Sequence, residues 1–365
     1  MKYIDEFRRK KQAQAIIERI RAMSVRRSSV MEICGTHTHT MARYGIRAAL
    51  SGHVKLISGP GCPVCVTSAS DVDRIIAFSR RERNSIIAAF GDMMRVPGSE
   101  SSLERERANG ADVRPLYSPL GALEAARDNP DREVVLFAVG FETTAPTVAA
   151  TILRAKAEAI KNLSVLALHK LTPPAMKALL DSGETPIDGF IAPGHVTAII
   201  GAASYEFLAK EYASPCVVAG FEPLDAIYGL YMLMRQIKEG RCDIENQYSR
   251  VVKWEGNKKA QEVIAEVFEP ADASWRGIGI IPQSGLKIRR NYSYFDAEAR
   301  FDMPQCAEKE PIGCRCGGVL KGILSPPECP LFAVSCTPQA PAGPCMVSSE
   351  GTCAAYYKYR DAEVA

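Results

Sequence analysis

Cysteines are concentrated towards the C-terminal end of the chain, where seven of the twelve fall within one stretch. Prolines and glycines fill the gaps between them, as in PIGCRCGG, SPPECPLF and PAGPCMVSSEG. A segment with so few large apolar side chains cannot fold around a core of its own, so disulfides, zinc or an iron–sulfur cluster must hold it. The seven residues are Cys306, Cys314, Cys316, Cys329, Cys336, Cys345 and Cys353.

The spacing in this cysteine-rich segment favours a cluster over zinc. Structural zinc usually uses paired knuckles of closely spaced cysteines, and only Cys314 and Cys316 are that close. A 4Fe–4S cluster accepts four thiolates at irregular spacing, often beside prolines. In a reducing compartment a disulfide framework is the less favoured alternative. The candidate spacing is Cys314, then 14 residues to Cys329, 6 to Cys336 and 16 to Cys353, with Cys316 and Cys345 inside it.

A thiol and two imidazoles lie within six positions near the N-terminus, in the segment EICGTHTHTMARYGI (32–46). These residues are Cys34, His37 and His39. A soft thiolate with neighbouring imidazoles suits a transition metal. The structural alternative is a buried cysteine on a strand, followed by a capping threonine and surface histidines.

A C-x-x-C motif follows in SGPGCPVCVTSASD (58–71), where Cys62 and Cys65 come after a Gly-Pro-Gly turn. We expect the next helix to be capped by Ser70, with Asp73 at its third position. Helix N-termini lower the pKa of thiols and so favour thiolates. The pair is therefore either a redox pair of the thioredoxin type or half of a metal site, and a purely structural role is the less favoured alternative.

Two further motifs, GFETTAP (140–146) and APGHVTAIIG (192–201), stand where a predicted strand gives way to a helix. In open α/β sheets, ligands gather at that edge. Glu142 is a candidate acid or base there, and His195 a candidate proton carrier or hydrogen-bond donor. The alternative is that the polar residues of both motifs are turn and cap residues.

Short apolar runs separated by helical patterns predict an α/β fold with parallel sheets flanked by helices. Residues 102–119 have the composition of a loop, and the chain from Glu245 onward has a helical pattern followed by irregular structure. The predicted strands are 54–58, 85–90, 133–139, 164–169, 188–192 and 216–220. The predicted helices begin at Asp71, Leu120, Ala145, Pro174, Val196 and Leu224, the fifth of them running to Tyr212.

An internal similarity suggests how these elements are grouped. FAVGFETTAPTVAA (137–150) and VVAGFEPLDAIYGL (217–230) share a strand, the triplet Gly-Phe-Glu and a helix, which fits two similar α/β domains. The expected domains are 25–130 with Cys34 and the C-x-x-C motif, 131–243 with the GFETT and PGHV motifs, and a cysteine-rich iron–sulfur domain of helices and loops at 244–365, joined by the N-terminal helix 1–24.

Composition excludes several classes of function. The net charge is +3, from 45 basic and 42 acidic residues, which is too small to indicate binding to nucleic acid or to a membrane surface. The N-terminal segment is a charged amphipathic helix pattern rather than a secretory signal, and no apolar run is long enough to span a membrane. No phosphate-binding glycine loop is present. We therefore expect a cytoplasmic protein.

Together these segments resemble the HypD family of NiFe-hydrogenase maturation factors. The stretches on which the resemblance rests are EICGTHTHT, GPGCPVC, GFETTAP, PGHV and the segment from Cys314 to Tyr359, in that order along the chain. The resemblance implies two similar α/β domains and a third domain with a 4Fe–4S cluster. It also implies a scaffold on which the iron centre of the hydrogenase, a low-spin iron with two cyanides and one carbonyl, is assembled.

The resemblance also implies partners and residue roles. A small HypC-type chaperone joins the scaffold, a HypE-type protein supplies cyanide, and the hydrogenase large subunit receives the product. Cys34 would bind the iron together with a cysteine of the chaperone, His37 would line the same cleft, and Cys62 and Cys65 would be a redox pair fed by the cluster. The implied cluster ligands are Cys314, Cys329, Cys336 and Cys353, with Cys316 the alternative to the first and Cys345 the alternative to the last.

Two other functions fit the residues without the resemblance. One is an iron–sulfur oxidoreductase that acts on a small thiol or disulfide substrate, with the C-x-x-C motif as its catalytic disulfide. The other is a zinc-stabilised interaction module without catalytic activity. Iron together with acid-labile sulfide in anaerobically purified protein would exclude the zinc module.

Overall fold

The computed structural model describes residues 8–360, which form an α/β structure with two parallel sheets and one antiparallel hairpin. Its strands are β1 (Ser28–Glu32), β2 (Val54–Ser58), β3 (Ile86–Phe90), β4 (Asp112–Leu116), β5 (Val134–Ala138), β6 (Leu163–Ala167), β7 (Gly189–Pro193), β8 (Cys216–Ala219), β9 (Ile244–Asn246), β10 (Phe268–Trp275) and β11 (Gly279–Ile288).

Helices cover both parallel sheets, and shorter helices lie in the cysteine-rich segment. The helices of the described residues are α1 (Lys10–Met23), α2 (Gly35–Arg43), α3 (Ile46–Leu50), α4 (Pro63–Val66), α5 (Ala69–Arg81), α6 (Leu103–Ala108), α7 (Leu120–Asp128), α8 (Ala145–Ala157), α9 (Thr172–Ser182), α10 (Gly194–Ile200), α11 (Glu206–Tyr212), α12 (Pro223–Glu239), α13 (Lys258–Val267), α14 (Ala297–Arg300), α15 (Cys316–Leu320), α16 (Pro344–Val347) and α17 (Thr352–Tyr359). Short 3-10 turns lie at Gly91–Arg95, Ala202–Tyr205, Arg290–Phe295 and Pro326–Glu328. Among the described residues, no helix combines the length and apolarity that crossing a membrane would require.

The first sheet has the strand order β2-β1-β7-β8-β9, and every neighbouring pair is parallel. Glu32 at the end of β1 pairs with Ser58 of β2 on one side and with Ile191 of β7 on the other. Alternate residues face two separate apolar layers. One layer is covered by α1, α3 and α12, and the other by α9 and α11.

The second sheet has the order β4-β3-β5-β6 and is also parallel throughout. Helices α7 and α8 cover one face, and α5 covers the other. The apolar layer on the α5 side includes the sulfur-bearing side chains of both Cys62 and Cys65, together with Cys316 and Cys345. This layer therefore joins the sheet to the cysteine-rich segment.

The α/β prediction with parallel sheets flanked by helices and an added cysteine-rich region is confirmed, but the sheets do not follow the division expected at residue 130. Strands β3 to β6 form one sheet across that point, and the first sheet combines strands 28–58 with strands 189–246. The chain leaves the first sheet after β2, builds the second sheet, and returns at β7. Helix α1 packs mainly on α12 of the first sheet, and residues 1–7 and 361–365 of the expected domains lie outside the described residues.

Several local predictions need correction. Residues 102–119 contain α6 and β4, because Ser102 caps a short helix and DVRPL pairs with β3. The cap of α5 is Ser68, whose hydroxyl accepts from the backbone N–H of Asp71, and not Ser70. The expected irregular structure near the end contains the antiparallel β10–β11 hairpin. A register shift between Ala271 and Ala273 interrupts the alternation of apolar and polar side chains that would mark a strand, so the sequence did not predict this hairpin.

The single helix expected from Val196 to Tyr212 is broken at Gly201. This glycine has a φ of +86°, and a Cβ atom there would lie 2.4 Å from the carbonyl oxygen of Trp254. The backbone of Gly256 approaches the same point. A residue with a side chain fits neither the left-handed conformation nor the space.

We predict that Gly201→Ala destabilises the chain by about 2–4 kcal/mol, the sum of a positive-φ penalty and steric overlap with the segment around Trp254. Gly52→Ala is the matched control, since a Cβ atom there meets nothing within 4 Å. Urea unfolding followed by circular dichroism measures both variants. If Gly201→Ala is as stable as the wild type, the steric overlap expected at this position is contradicted.

Candidate functional site

The site forms at the carboxyl edge of the first sheet, where four adjacent parallel strands end. Cys34 follows β1, the C-x-x-C motif follows β2, His195 follows β7 and Phe221 follows β8. Because Glu32 and Ser58 are paired in register, the chain segments after β1 and β2 must run side by side. The sequence predicted that ligand-binding residues would gather at such an edge.

Cys34 lies between two other segments of the chain. It occupies the N-cap position of α2 and is 1% exposed. A Cβ atom on Gly61 would lie 2.3 Å from the backbone nitrogen of Cys34, so only glycine permits this contact. The Gly35 N–H donates to the carbonyl of Gly61 over 3.3 Å. On the opposite side, the backbone of Gly35 touches that of Glu350, and the Thr36 hydroxyl donates to the Glu350 carboxylate over 2.9 Å.

This burial keeps Cys34 protonated. Removal from water raises the pKa of its thiol to about 12, and the nearby charge of Glu350 acts in the same direction. Hydrogen bonds from His37 and Thr36 oppose the shift without cancelling it. A metal that binds this sulfur must therefore displace its proton.

Cys62 and Cys65 form a disulfide across the one-turn helix α4, with their Cα atoms 5.2 Å apart. Cys62 is the N-cap residue, and its sulfur accepts from the Cys65 N–H over 3.3 Å. The side chains are 4% and 0% exposed, respectively. The pair was expected just before the helix that is now α5; in the structure it forms the separate one-turn helix α4, which precedes α5.

His37 and His195 both face the ring of Phe221. The centroid of the His37 ring lies 4.8 Å from that of Phe221, and the centroid of the His195 ring lies 5.0 Å away. His37 Nε2 is 2.9 Å from the carbonyl oxygen of Gly220. Burial lowers the pKa of each histidine to about 4, so both rings are neutral at physiological pH. Phe221 was not among the candidate residues, although the repeated Gly-Phe-Glu triplet marked its position.

His39 is directed away from Cys34. Its Nε2 lies 2.8 Å from the hydroxyl of Tyr359 in α17, and the two rings meet edge to face. Of the two histidines in the CGTHTH motif, His37 therefore contacts the sheet edge, whereas His39 contacts the last helix of the cysteine-rich segment. Their two-residue spacing on α2 separates their directions.

Glu142 follows β5 of the second sheet and is buried. Its carboxylate accepts from the Thr172 backbone N–H over 2.7 Å and from the Thr172 hydroxyl over 2.9 Å. Burial raises the pKa of Glu142 to about 7 despite these hydrogen bonds.

Six cysteines of the C-terminal segment line one cavity, whose apolar wall is formed by Leu331, Phe332 and Met346. The sulfurs of Cys316 and Cys345 are 3.0 Å apart. Cys306 is outside this group and borders a different pocket. The six are Cys314, Cys316, Cys329, Cys336, Cys345 and Cys353.

The donor set fits a 4Fe–4S cluster, which takes four cysteine thiolates. Within residues 8–360, no three potential ligands converge on one point closely enough to hold a lone metal ion. In a 4Fe–4S cluster each cysteine binds a different iron, so its four thiolates do not have to converge on one atom. Six thiols around an apolar cavity could hold such a group.

Neighbouring thiols in this cavity shift one another's pKa. The pKa of Cys316 is lowered by hydrogen bonds with Cys314 and Cys345, and the guanidinium of Arg276 adds to this. The pKa of Cys345 is raised, first by Cys316 and then by Cys353. Cys316 is therefore the thiol of this group that its neighbours favour most as a thiolate.

The two sulfur groups meet at α16. The sulfur of Cys65 lies 4.0 Å from the carbonyl oxygen of Pro344, the residue before Cys345. Gly351, next to the contact with Gly35, packs its backbone on the Cys345 carbonyl, where a Cβ atom would lie 2.1 Å from the oxygen. Cys34 thus contacts the residue before Cys62, and Cys65 contacts the residue before Cys345.

Comparison with known proteins identifies the family. A family model described as "HypD: Hydrogenase formation hypA family" matches residues 11–360. The chain is 48% identical to hydrogenase maturation factor HypD2 of Bradyrhizobium diazoefficiens, over 98% of this chain and 97% of the relative. It is 46% identical to hydrogenase maturation factor HypD of Cupriavidus necator, with the same coverage of both chains.

A more distant relative is a putative hydrogenase expression/formation protein of Methanocaldococcus jannaschii, which is 43% identical over 93% of this chain and 94% of the relative. The similarity thus includes both sheets and the cysteine-rich segment in bacterial and archaeal proteins alike. Because the family model and the relatives cover nearly the whole chain, the protein belongs to the HypD family of hydrogenase maturation factors.

Proposed function

We propose that this chain is the scaffold on which an iron atom receives two cyanides and one carbonyl before insertion into the large subunit of a NiFe hydrogenase. The observation that supports this most directly is that Cys34 packs on Gly61, the residue before Cys62, while the Cys65 sulfur lies 4.0 Å from the carbonyl oxygen of Pro344, the residue before Cys345. The thiol that would bind the metal, the redox pair and the cysteine-lined cavity would thereby belong to one buried region.

Cys34 would hold the iron as cargo. A thiolate is a soft ligand and suits a low-valent iron that bears cyanide and carbonyl. Since burial raises the pKa of this thiol to about 12, iron binding would release a proton that water alone would not remove. The neutral ring of His37, on the same helix, would line the cleft without competing as a cation.

Cys62 and Cys65 would supply the electrons for cyanide release. Cleavage of the S–C bond of a thiocyanate-type donor takes up two electrons and yields one thiolate and one cyanide. Oxidation of the Cys62–Cys65 dithiol to a disulfide provides two electrons and two protons. One dithiol oxidation therefore balances one cyanide, and the disulfide must be reduced again before the second.

The cavity residues Cys314, Cys329, Cys336 and Cys353 would hold a 4Fe–4S cluster, whose contribution is to supply electrons one at a time. Cys316 and Cys345 are then free to act as the thiols between this cavity and the C-x-x-C pair. Their short separation of 3.0 Å and the contact from Cys65 to Pro344 support that assignment.

Glu142 would take part in proton transfer. Its pKa of about 7 allows the carboxyl group to accept or donate a proton near neutral pH. Phe141, the preceding residue, packs in the same apolar layer as Cys62 and Cys65. His195 would stay neutral and act through hydrogen bonding, because burial lowers its pKa to about 4.

The proposed partners are a small HypC-type chaperone that shares the iron, a HypE-type cyanide donor and, through them, the hydrogenase large subunit. We place the protein in the cytoplasm, where free thiols remain reduced. The alternative of an oxidoreductase for small substrates is weakened by the burial of both C-x-x-C sulfurs, which a free thiol cannot reach without movement of the chain.

We predict that Cys62→Ala and Cys65→Ala each keep the iron–sulfur content but abolish cyanide on the iron, because the two-electron donor is lost. Infrared spectroscopy of the protein purified with its chaperone measures the cyanide and carbonyl bands. Cys242→Ala is the control, since Cys242 donates to Ala213 away from the site. Unchanged cyanide bands in the two variants would disprove the electron-donor role.

We predict that serine substitution of Cys314, Cys329, Cys336 or Cys353 lowers the iron content from about four atoms per chain to below about one. Serine at Cys316 or Cys345 should leave iron and acid-labile sulfide in place, and Cys306→Ser is the control outside the cavity. Iron and sulfide analysis after anaerobic purification tests each variant. If the Cys316 variant loses the cluster and the Cys314 variant keeps it, Cys316 is the ligand in place of Cys314. The same comparison decides between Cys345 and Cys353.

We predict a pH-dependent stability contribution from Glu142. Its pKa is raised from 4.5 to about 7 in the folded chain, so between these values the unfolded chain releases a proton that the folded chain keeps. The free energy of unfolding of the wild type, relative to Glu142→Gln, should therefore fall by up to about 3 kcal/mol as the pH rises from 4.5 to above 7.

Urea unfolding at a series of pH values measures this difference. Glu206→Gln, which removes an exposed partner of Lys210, is the control and should follow the wild-type pH dependence. A constant difference between wild type and Glu142→Gln across this range would show that Glu142 is ionised in the folded protein.

A further inference from the structure

Arg276 is a fully buried arginine between the segment that carries Cys62 and Cys65 and the segment that begins at Cys316. It lies in the turn of the β10–β11 hairpin, and its side chain is 0% exposed. The hairpin turn is inserted between helix α4, which follows Cys62, and helix α15, which begins at Cys316. A guanidinium stays protonated in proteins, so this position holds a permanent positive charge.

On one side, Arg276 is bound to the end of the C-x-x-C helix. Its backbone N–H donates to the carbonyl of Val66 over 2.9 Å, and its Nε donates to the carbonyl of Thr67 over 2.8 Å. Trp275 forms an isolated antiparallel bridge with Thr67 next to these bonds. The C-terminal end of α4 is therefore fixed to the hairpin turn at three points.

On the other side, the turn contacts the cysteine-rich segment. A Cβ atom on Gly277 would lie 2.2 Å from the Cα atom of Gly317, so the two backbones touch directly after Cys316. The Nη1 of Arg276 makes no hydrogen bond among the described residues and lies 3.7 Å from the Glu310 carboxylate. Nη2 donates to the carbonyl of Pro97 over 3.3 Å.

We propose that Arg276 is a positioning residue for the Cys62–Cys65 pair. It holds α4 against the Cys316 segment, and its charge makes the Cys62–Cys65 disulfide easier to reduce. This inference rests on the electron-donor role proposed above for Cys62 and Cys65. Reduction adds two electrons and one proton to the disulfide and gives one thiol and one thiolate, which takes up the second proton only when it is itself protonated. Arg276 does not react. A buried cation stabilises the form with more negative charge on sulfur, because the low dielectric strengthens the attraction.

Two substitutions should move the reduction potential in opposite directions. Arg276→Gln removes the cation and should shift the equilibrium with dithiothreitol about tenfold towards the disulfide, a fall of about 30 mV in midpoint potential. Glu310→Gln removes the carboxylate that faces the cation and should shift the same equilibrium towards the dithiol. Arg276→Lys keeps the charge and should restore most of the wild-type potential.

The measurement uses the full chain, purified anaerobically and equilibrated with defined ratios of reduced and oxidised dithiothreitol. Free thiols are then alkylated, and the peptide with Cys62 and Cys65 is quantified by mass spectrometry. Arg300→Gln is the matched control, since Arg300 also ties two segments together, through the Leu163 carbonyl and Glu133, away from the sulfurs.

A purely structural role would lower the melting temperature of the Arg276 variants without changing the potential. Equal potentials in wild type and Arg276→Gln, or shifts of the same sign in Arg276→Gln and Glu310→Gln, would overturn the inference. If Arg276→Gln does not fold, Glu310→Gln and Arg276→Lys decide the matter, because only a charge effect raises the potential in the first and preserves it in the second.

The assay contains no chaperone or cyanide donor, so it is independent of cyanide transfer. If the cyanide bands disappear in Cys62→Ala and Cys65→Ala but the midpoint potential of the disulfide is the same in wild type and Arg276→Gln, only this inference fails. If the potential responds as expected but cyanide bands persist in Cys62→Ala and Cys65→Ala, the proposed function fails and the positioning role remains.

Discussion

The backbone contact between Gly61 and Cys34 is the constraint on which the arrangement of the site depends. It follows from the pairing of β1 with β2, which brings the loops after both strands to the same sheet edge. Only glycine allows this approach, since any Cβ atom would overlap the nitrogen of Cys34. The contact brings Cys34 next to the segment that carries Cys62 and Cys65, and the backbone around Glu350 closes the opposite side.

Burial then sets the charge of the reactive groups. The same desolvation raises the pKa of the Cys34 thiol and of the Glu142 carboxyl group, and lowers the pKa of His37 and His195. Each of these groups is thereby moved towards its neutral form. Arg276, whose guanidinium carries a positive charge, is also fully buried.

The elements of the two sheets were largely predictable, because buried parallel strands are short apolar runs with helical patterns between them. Predicted strands at 54–58, 85–90 and 133–139 agree with β2, β3 and β5. The assignment of strands to sheets was not predictable. Strands β3 and β5 lie side by side across the expected boundary at residue 130, and nothing in either local pattern indicates its neighbour. The β10–β11 hairpin was missed since its alternation is interrupted.

The sequence alone determined which side chains have the chemistry: the thiol and imidazole of Cys34 and His37, the C-x-x-C pair, and the cysteines of the C-terminal segment. These are local features, fixed by residue type and by their place directly after a strand or beside a proline. Only the tertiary structure decided which of them meet. The contacts of Gly35 with Glu350, of Cys65 with Pro344 and of Arg276 with Thr67 join residues far apart in the chain. Such contacts arise from the packing of two sheets and a hairpin against one another, which no local pattern encodes.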